Sequence, residues 1–122
     1  MAHILVIDDD EQFRAMLVQM LTQDGHQVTI AADGEEGLRL ARKSAPELII
    51  TDILMPKKDG MDVMLELSRG DSQIPVVAVS GGRRSITAEF NLDSATLLGA
   101  RAVLAKPFTR ADLRQALASV LP

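Results

Sequence analysis

The run His3-Ile4-Leu5-Val6-Ile7 leads straight into Asp8-Asp9-Asp10-Glu11, consecutive carboxylates at the end of an apolar segment. Like charges about 4 Å apart repel by roughly 4 kcal/mol even at an effective dielectric near 20. Either a cation offsets that repulsion or the side chains point apart. Other polar residues end apolar runs in the same way: Asp52 after Leu48-Ile49-Ile50-Thr51, Ser80 after Val76–Val79, and Lys106 after Ala102–Ala105. Taken singly each is bland, since an Asp at a strand end is usually a turn former or helix cap, and a lone Ser or Lys says little. Together they form a set: acids, a hydroxyl and an amine suit a hard divalent cation with an anionic oxygen ligand. Mg2+ is the natural ion, because it takes one or two carboxylates, keeps several waters and shares phosphate oxygens. Mn2+ is the alternative, with the same taste for oxygen donors.

For these residues to meet, the elements that carry them must end on one rim. Strand-length apolar runs occur at 3–8, 27–31, 47–52, 75–80 and 102–106. Several are nearly continuous rather than alternating, the pattern of strands covered on both faces. Amphipathic helices lie between them. Phe13, Met16, Leu17, Met20 and Leu21 make one stripe, read as core filler. Leu113, Ala116, Leu117, Val120 and Leu121 make another near the C-terminus, Met61, Met64 and Leu65 mark a third, and Gly37, Leu38, Ala41 and Ala45 mark a weaker one after Asp33-Gly34. Gly25, Pro46, Gly70 and Pro75 punctuate the segments where helices stop and strands start. The alternation predicts an α/β fold with a mainly parallel sheet and helices on both faces. In such sheets ligands bind outside the carboxyl ends of the strands, which is where Asp8, Asp9, Asp52, Ser80 and Lys106 fall. Within the acidic run, Asp10 reads as the cap of the first helix and Glu11 as its first turn, near the positive end of the dipole. One stretch breaks the rhythm: residues 81–90 read as an extended loop, with Asn91 placed to cap a short helix through Leu98.

Composition bounds the rest. The 122 residues suit one domain; 47% are apolar and 25% charged, an ordinary globular balance. A net charge of −4 argues against nucleic acid as a direct partner, and Arg83-Arg84 reads as a solvated loop. No cysteine is present, which excludes disulfides and thiolate metal sites. Nothing resembles a leader or a membrane span, so a cytoplasmic protein without membrane contact is expected.

The motifs IDDDE at 7–11, TDILMPKKDG at 51–60, VVAVSG at 76–81 and GARAVLAKPF at 99–108 resemble those of the receiver domain of two-component response regulators, and the resemblance spans the whole chain, residues 1–122. It implies a flavodoxin-like, doubly wound five-stranded sheet of order 2-1-3-4-5. It implies that Asp52 is the phosphoacceptor for a phosphohistidine on a sensor histidine kinase or a histidine phosphotransfer protein. Asp8 and Asp9 match the acidic pair that holds Mg2+ with Asp52, and the main-chain carbonyl of Leu54 is a further ligand. Ser80 matches the hydroxyl that hydrogen-bonds the phosphoryl group and Lys106 the amine that pairs with it, ahead of a cis bond to Pro107. The protein would then be a signalling domain catalysing only its own phosphorylation and dephosphorylation. With no output domain in the sequence, its signal is expected to leave by protein contact or onward phosphotransfer. The face formed by the fourth helix, fifth strand and fifth helix is the family's usual contact surface. A phosphatase using Asp8-Asp9-Asp10 as D-x-D is set aside, because Gln12 replaces the Thr or Val it needs and no acidic pair follows Lys106. A phosphate-independent pseudo-receiver is set aside because every key position is intact.

This chain departs from the family pattern in two places. Val103 stands where an aromatic residue usually flips with the switch, so the 81–90 loop is expected to carry the signal instead. Leu54 and Gly82 stand where relatives often carry polar side chains near the attacking water. Neither can orient water through its side chain, so self-dephosphorylation should be slow. Gly82→Glu should speed the decay of the phosphorylated protein in a time course after removal of the phosphodonor; an unchanged rate would count against this reading.

Overall fold

A strand whose residues are all apolar can bury both its faces only inside a layered fold. The computed structural model of the protein describes residues 2–52, 74–80 and 100–121, the side chain of Ser80 excepted, and shows such layering. The strands β1 (His3–Ile7), β2 (Gln27–Ala31), β3 (Leu48–Asp52), β4 (Val76–Ser80) and β5 (Ala102–Ala105) pair in parallel as one sheet of order β2-β1-β3-β4-β5. Alternate residues serve opposite layers. Ile4, Val6, Ile50 and Val77 pack against Leu17 and Leu21 of α1 (Glu11–Gln23) and Leu113 and Leu117 of the C-terminal helix (Arg110–Val120). Leu5, Ile7, Ile49 and Ala78 pack against Leu38 and Ala41 of α2 (Gly34–Ser44). Burying each large aliphatic side chain contributes about 1.5–3 kcal/mol, so the two layers supply most of the favourable energy. The expected third helix at Met61–Leu65 and the 81–98 stretch lie outside the described residues.

Each described helix starts where the sequence supplies an acceptor. Asp10 caps α1, its Oδ1 accepting the Gln12 and Phe13 N–H groups at 3.0 and 3.1 Å. Asp33 caps α2 through the Glu36 N–H, and the Glu36 carboxylate accepts from the Ala32 N–H. Thr109 and Asp112 exchange hydrogen bonds in a capping box at the head of the C-terminal helix. Gly37 lets α2 approach the sheet closely, because a Cβ there would collide with the Ile7 side chain. On the opposite layer Asp24, the C-cap of α1, pairs with Arg110 and Arg114 of the C-terminal helix. Hydrogen bonds from Arg114 and then Arg110 hold the Asp24 carboxyl well below the usual carboxylate range.

Two residues depart from the helix stripes read in the sequence. Met16 is 36% exposed rather than core, because α1 turns its Leu17 and Leu21 edge to the sheet. Ala45 lies past the end of α2 as its C-cap, with φ of 46°, the left-handed region. An L-residue there costs about 1–2 kcal/mol that glycine avoids, and Ala45 is exposed, so its methyl group contributes no core packing. Ala45→Gly should therefore raise stability by about 0.5–1 kcal/mol after glycine's greater unfolded entropy is subtracted. Urea denaturation should show a higher midpoint with an unchanged slope.

Candidate functional site

The strand order decides which chain segments can share a rim. β1 lies beside β3 with Ile7 opposite Thr51, so Asp8 leaves the sheet next to Asp52. β4 lies beside β3 with Asp52 opposite Val79, and Ser80 is opposite Ala105. Lys106 follows Ala105 directly and is joined to Pro107 by a cis peptide bond. Residues from four strands thus arrive at one edge. Carboxylate oxygens of Asp8, Asp9 and Asp52 lie within 4.8 Å of one another. Asp8 and Asp52 are buried at 2% and 4% exposure, and Asp9 is half-buried. Lys106 Nζ donates to Asp8 Oδ2 at 3.0 Å and to Asp52 Oδ2 at 3.1 Å, bridging the two buried acids. Of the residues singled out in the sequence, the structure gathers Asp8, Asp9, Asp52 and Lys106. It brings the Ser80 main chain to the same edge. Leu54 lies outside the described residues.

The acidic run divides by partner. Asp8 Oδ1 accepts the Asp10 N–H at 2.8 Å, while the Asp10 side chain turns to the α1 amides. Glu11 opens the helix. Burial is the main cause that lifts the Asp8 carboxyl above its ordinary 3.8; the Asp10 N–H and the Lys106 charge pull it down without cancelling that, and the Asp9 charge adds a smaller upward push. The raised carboxyl is thus chiefly an effect of lost water rather than of crowded acids. For Lys106 burial is again the largest single influence and acts downward, yet the charges of Asp52 and Asp8 and the hydrogen bonds to both leave it above 10.5. Both groups are raised, a shift that favours the charge on Lys106 and opposes it on Asp8, because one ammonium is divided between two carboxylates. It gains from both, and Asp8 gains only a share. Lys106 is therefore charged.

Two side chains near the site carry no catalytic signature in the sequence. Arg14, on α1, donates from Nη1 to the main-chain carbonyl of Asp8 at 2.7 Å and so ties the acidic loop to the helix that follows it. Phe13 places its ring under the Lys106 ammonium, 3.8 Å from ring centroid to Nζ. Phe13 belongs to the apolar stripe of α1, and nothing in periodicity separates that role from packing. The position of Phe13, three residues past the cap at Asp10, is the available cue.

The donor set fits a hard divalent cation: three convergent carboxylates, with one neighbouring ammonium that a cation would displace in part. Among the described residues this is the group of acids placed to hold a metal.

A family model for the response regulator receiver domain matches residues 4–118. The transcriptional regulatory protein AfsQ1 of Streptomyces coelicolor is 37% identical over 94 residues, 77% of this chain and 41% of its own. The chain spans about half the length of the curated relatives it matches, for instance 48% of the alkaline phosphatase synthesis transcriptional regulatory protein PhoP of Bacillus subtilis, at 30% identity over 97% of this chain. Among solved structures, a response regulator receiver domain protein of Clostridium thermocellum superposes with a TM-score of 0.89 at 32% identity, covering 99% of this chain and 94% of that one. No helix among the described residues is long and apolar enough to cross a membrane.

If the three carboxylates form one cation site, Mg2+ should stabilise the fold by mass action, by about 1.4 kcal/mol when its concentration is about ten times Kd. Thermal melts with and without MgCl2 should show a rise in Tm for the native protein, absent from Asp9→Asn.

Proposed function

The chain belongs to the response regulator receiver domain family, and on that premise we propose that Asp52 accepts a phosphoryl group from a phosphohistidine. The donor would be a sensor histidine kinase or a histidine phosphotransfer protein. The observation that carries this reading is Lys106 Nζ held between the buried carboxylates of Asp8 and Asp52, with Asp9 beside them. A carboxylate is a competent covalent acceptor. An Asp52 oxygen forms the new O–P bond as the donor's N–P bond breaks; the bonding pair leaves with the imidazole nitrogen, which then takes a proton. The transition state is loose and spreads charge over the equatorial oxygens, so the protein's task is to position and to neutralise. Lys106 supplies a charge already fixed 3.1 Å from Asp52 Oδ2. Ser80 is the proposed hydroxyl donor to the phosphoryl oxygens. Asp8, Asp9, Asp52 and the main-chain carbonyl of Leu54 would hold Mg2+, or Mn2+ in its place. When bound, the ion neutralises charge on the transferring group. In this reading the domain catalyses only its own phosphorylation and dephosphorylation.

The phosphoryl group replaces one carboxylate charge with about −1.5 to −2 and three strong acceptors. Lys106 must then share itself differently, and it is followed within three residues by the cap of the C-terminal helix, Thr109. The proposed output surface is the face of β5 and that helix, where a cleft of about 450 Å3 is lined by Val103, Ala105, Phe108 and Gln115. Val103 is 36% exposed there, open to a protein partner. The proposal assigns these 122 residues, with a net charge of −4, no direct contact with nucleic acid. AfsQ1 and PhoP are named as transcriptional regulators, but more than half of each lies outside the matched region. Cytoplasmic residence is part of the same reading, because histidine kinases phosphorylate themselves from ATP.

Incubation with acetyl phosphate and Mg2+ should add a single phosphoryl mass to the intact protein. Asp52→Asn should abolish it, and EDTA should suppress it. A native protein that never labels would favour a phosphate-independent interaction module. Multiple turnover on a phosphate ester would favour a phosphatase.

A further inference from the structure

The Lys106 ammonium has a third neighbour that the phosphoacceptor chemistry does not require. Its Nζ sits 3.8 Å from the centroid of the Phe13 ring. Phe13 in turn meets Phe108 in a T-shaped contact, centroids 5.5 Å apart and planes at 85°. The cation and the second ring come from the same short segment, two residues apart, and together they clamp a ring that belongs to α1. The main chain that carries that ring is anchored at the head of α1, where the Phe13 N–H donates to Asp10 Oδ1 at 3.1 Å. The segment that supplies Asp8 and Asp9 therefore also supplies the surface on which Lys106 rests.

We propose that Phe13 is a positioning residue for Lys106, its ring giving the ammonium a seat that holds the charge against Asp52. The inference rests on the phosphoacceptor reading and adds to it a residue that touches neither phosphoryl group nor metal. Lysine carries its charge on a flexible four-carbon stem with three donors. Two donors are taken by Asp8 and Asp52. Without a third constraint the stem can swing towards solvent, since the side chain retains 17% exposure. The ring's negative face attracts the cation and excludes water from that flank. Its attraction is independent of whether Asp52 is free or phosphorylated, so the ammonium stays seated while its oxygen partners change. Phe13 is also packed against the core layer that holds Leu17 and Leu113, and an apolar residue of similar size would serve that purpose equally well.

Phe13→Leu keeps the apolar bulk and removes the ring, whereas Phe13→Tyr keeps the ring. The first readout is the NMR shift of the Lys106 ε-methylene protons, which the ring current should move upfield in the native protein and in Phe13→Tyr but not in Phe13→Leu. The second is the affinity for beryllofluoride with Mg2+, followed by 19F NMR. It should weaken about tenfold in Phe13→Leu, the size expected for a partly desolvated cation–π contact, and recover in Phe13→Tyr. Melting temperature reports packing separately. An ordinary Lys106 shift in the native protein overturns the proposal, even if Phe13→Leu fails to fold. So does a folded Phe13→Leu with native beryllofluoride affinity. Failure of the native protein to bind beryllofluoride would instead sink the phosphoacceptor reading and leave the Lys106 shift to decide the seat.

Discussion

A single ammonium divided between two buried carboxylates is the interaction on which the rest of the site depends. Lys106 lies 98 residues from Asp8 and 54 from Asp52, yet its Nζ is within 3.1 Å of both. Withdrawing an ion from water costs several kcal/mol per charge even after relaxation. Two acids buried at 2% and 4% exposure could not stay ionised side by side without a cation. The price is met locally and only in part: Asp8 remains above its ordinary carboxyl range while Lys106 is driven further into its charged form. A site in that condition has an unmet demand for positive charge, which is the physical meaning of its fit to a divalent ion.

That interaction in turn constrains the sheet. β5 lies two strands from β3 and three from β1, so with neighbours about 4.8 Å apart the gap from Lys106 to Asp8 approaches about 14 Å of sheet. Among side chains only a long one, reaching inward from beyond the strand end, can close it. The aspartates also need the loop after β1 to be short and fixed. Arg14 fixes it from α1 by holding the Asp8 carbonyl, and Asp10 by closing the first turn of that helix. Opposite ends of the same layer are joined as well, through Asp24 and the arginines of the C-terminal helix. α1 is thus tied to the acidic loop at its head and to the C-terminal helix at its tail.

Much of this was legible in the sequence because it depends on one-dimensional pattern. Apolar runs marked all five strands to within a residue, Asp10 announced a cap, and polar residues at strand ends pointed to one rim. Pattern failed where the outcome depends on which neighbour arrives from elsewhere. Met16 shares the spacing of Leu17 and Leu21 but faces outward, because the width of a helix's buried stripe is set by what packs on it. Ala45 continued the stripe of α2 yet takes a left-handed cap, since Pro46 follows and the chain must turn into β3. The Asp8 carboxyl is raised chiefly by burial, a quantity the sequence does not contain. Phe13 reads only as part of the α1 stripe, and Arg14 belongs to no motif in the sequence. Their significance comes from Lys106 and the Asp8 carbonyl, one remote in sequence and the other round a turn.

The aromatic pair changes how the missing aromatic at Val103 should be understood. A relay through a flipping ring needs a large side chain on β5, and this chain has valine there. It instead has two rings at the other end of the problem, in contact with the cation rather than with the output face alone. Phe108 touches Phe13 and also lines the cleft between β5 and the C-terminal helix. When Lys106 changes its oxygen partners, the neutral seat is the contact whose attraction does not depend on the charge of Asp52. The seat is continuous with that surface, because Phe13 touches Phe108 and Phe108 borders the cleft proposed for output. In this chain the aromatic contacts at the rim lie beneath the lysine, at Phe13 and Phe108, while β5 presents the exposed Val103.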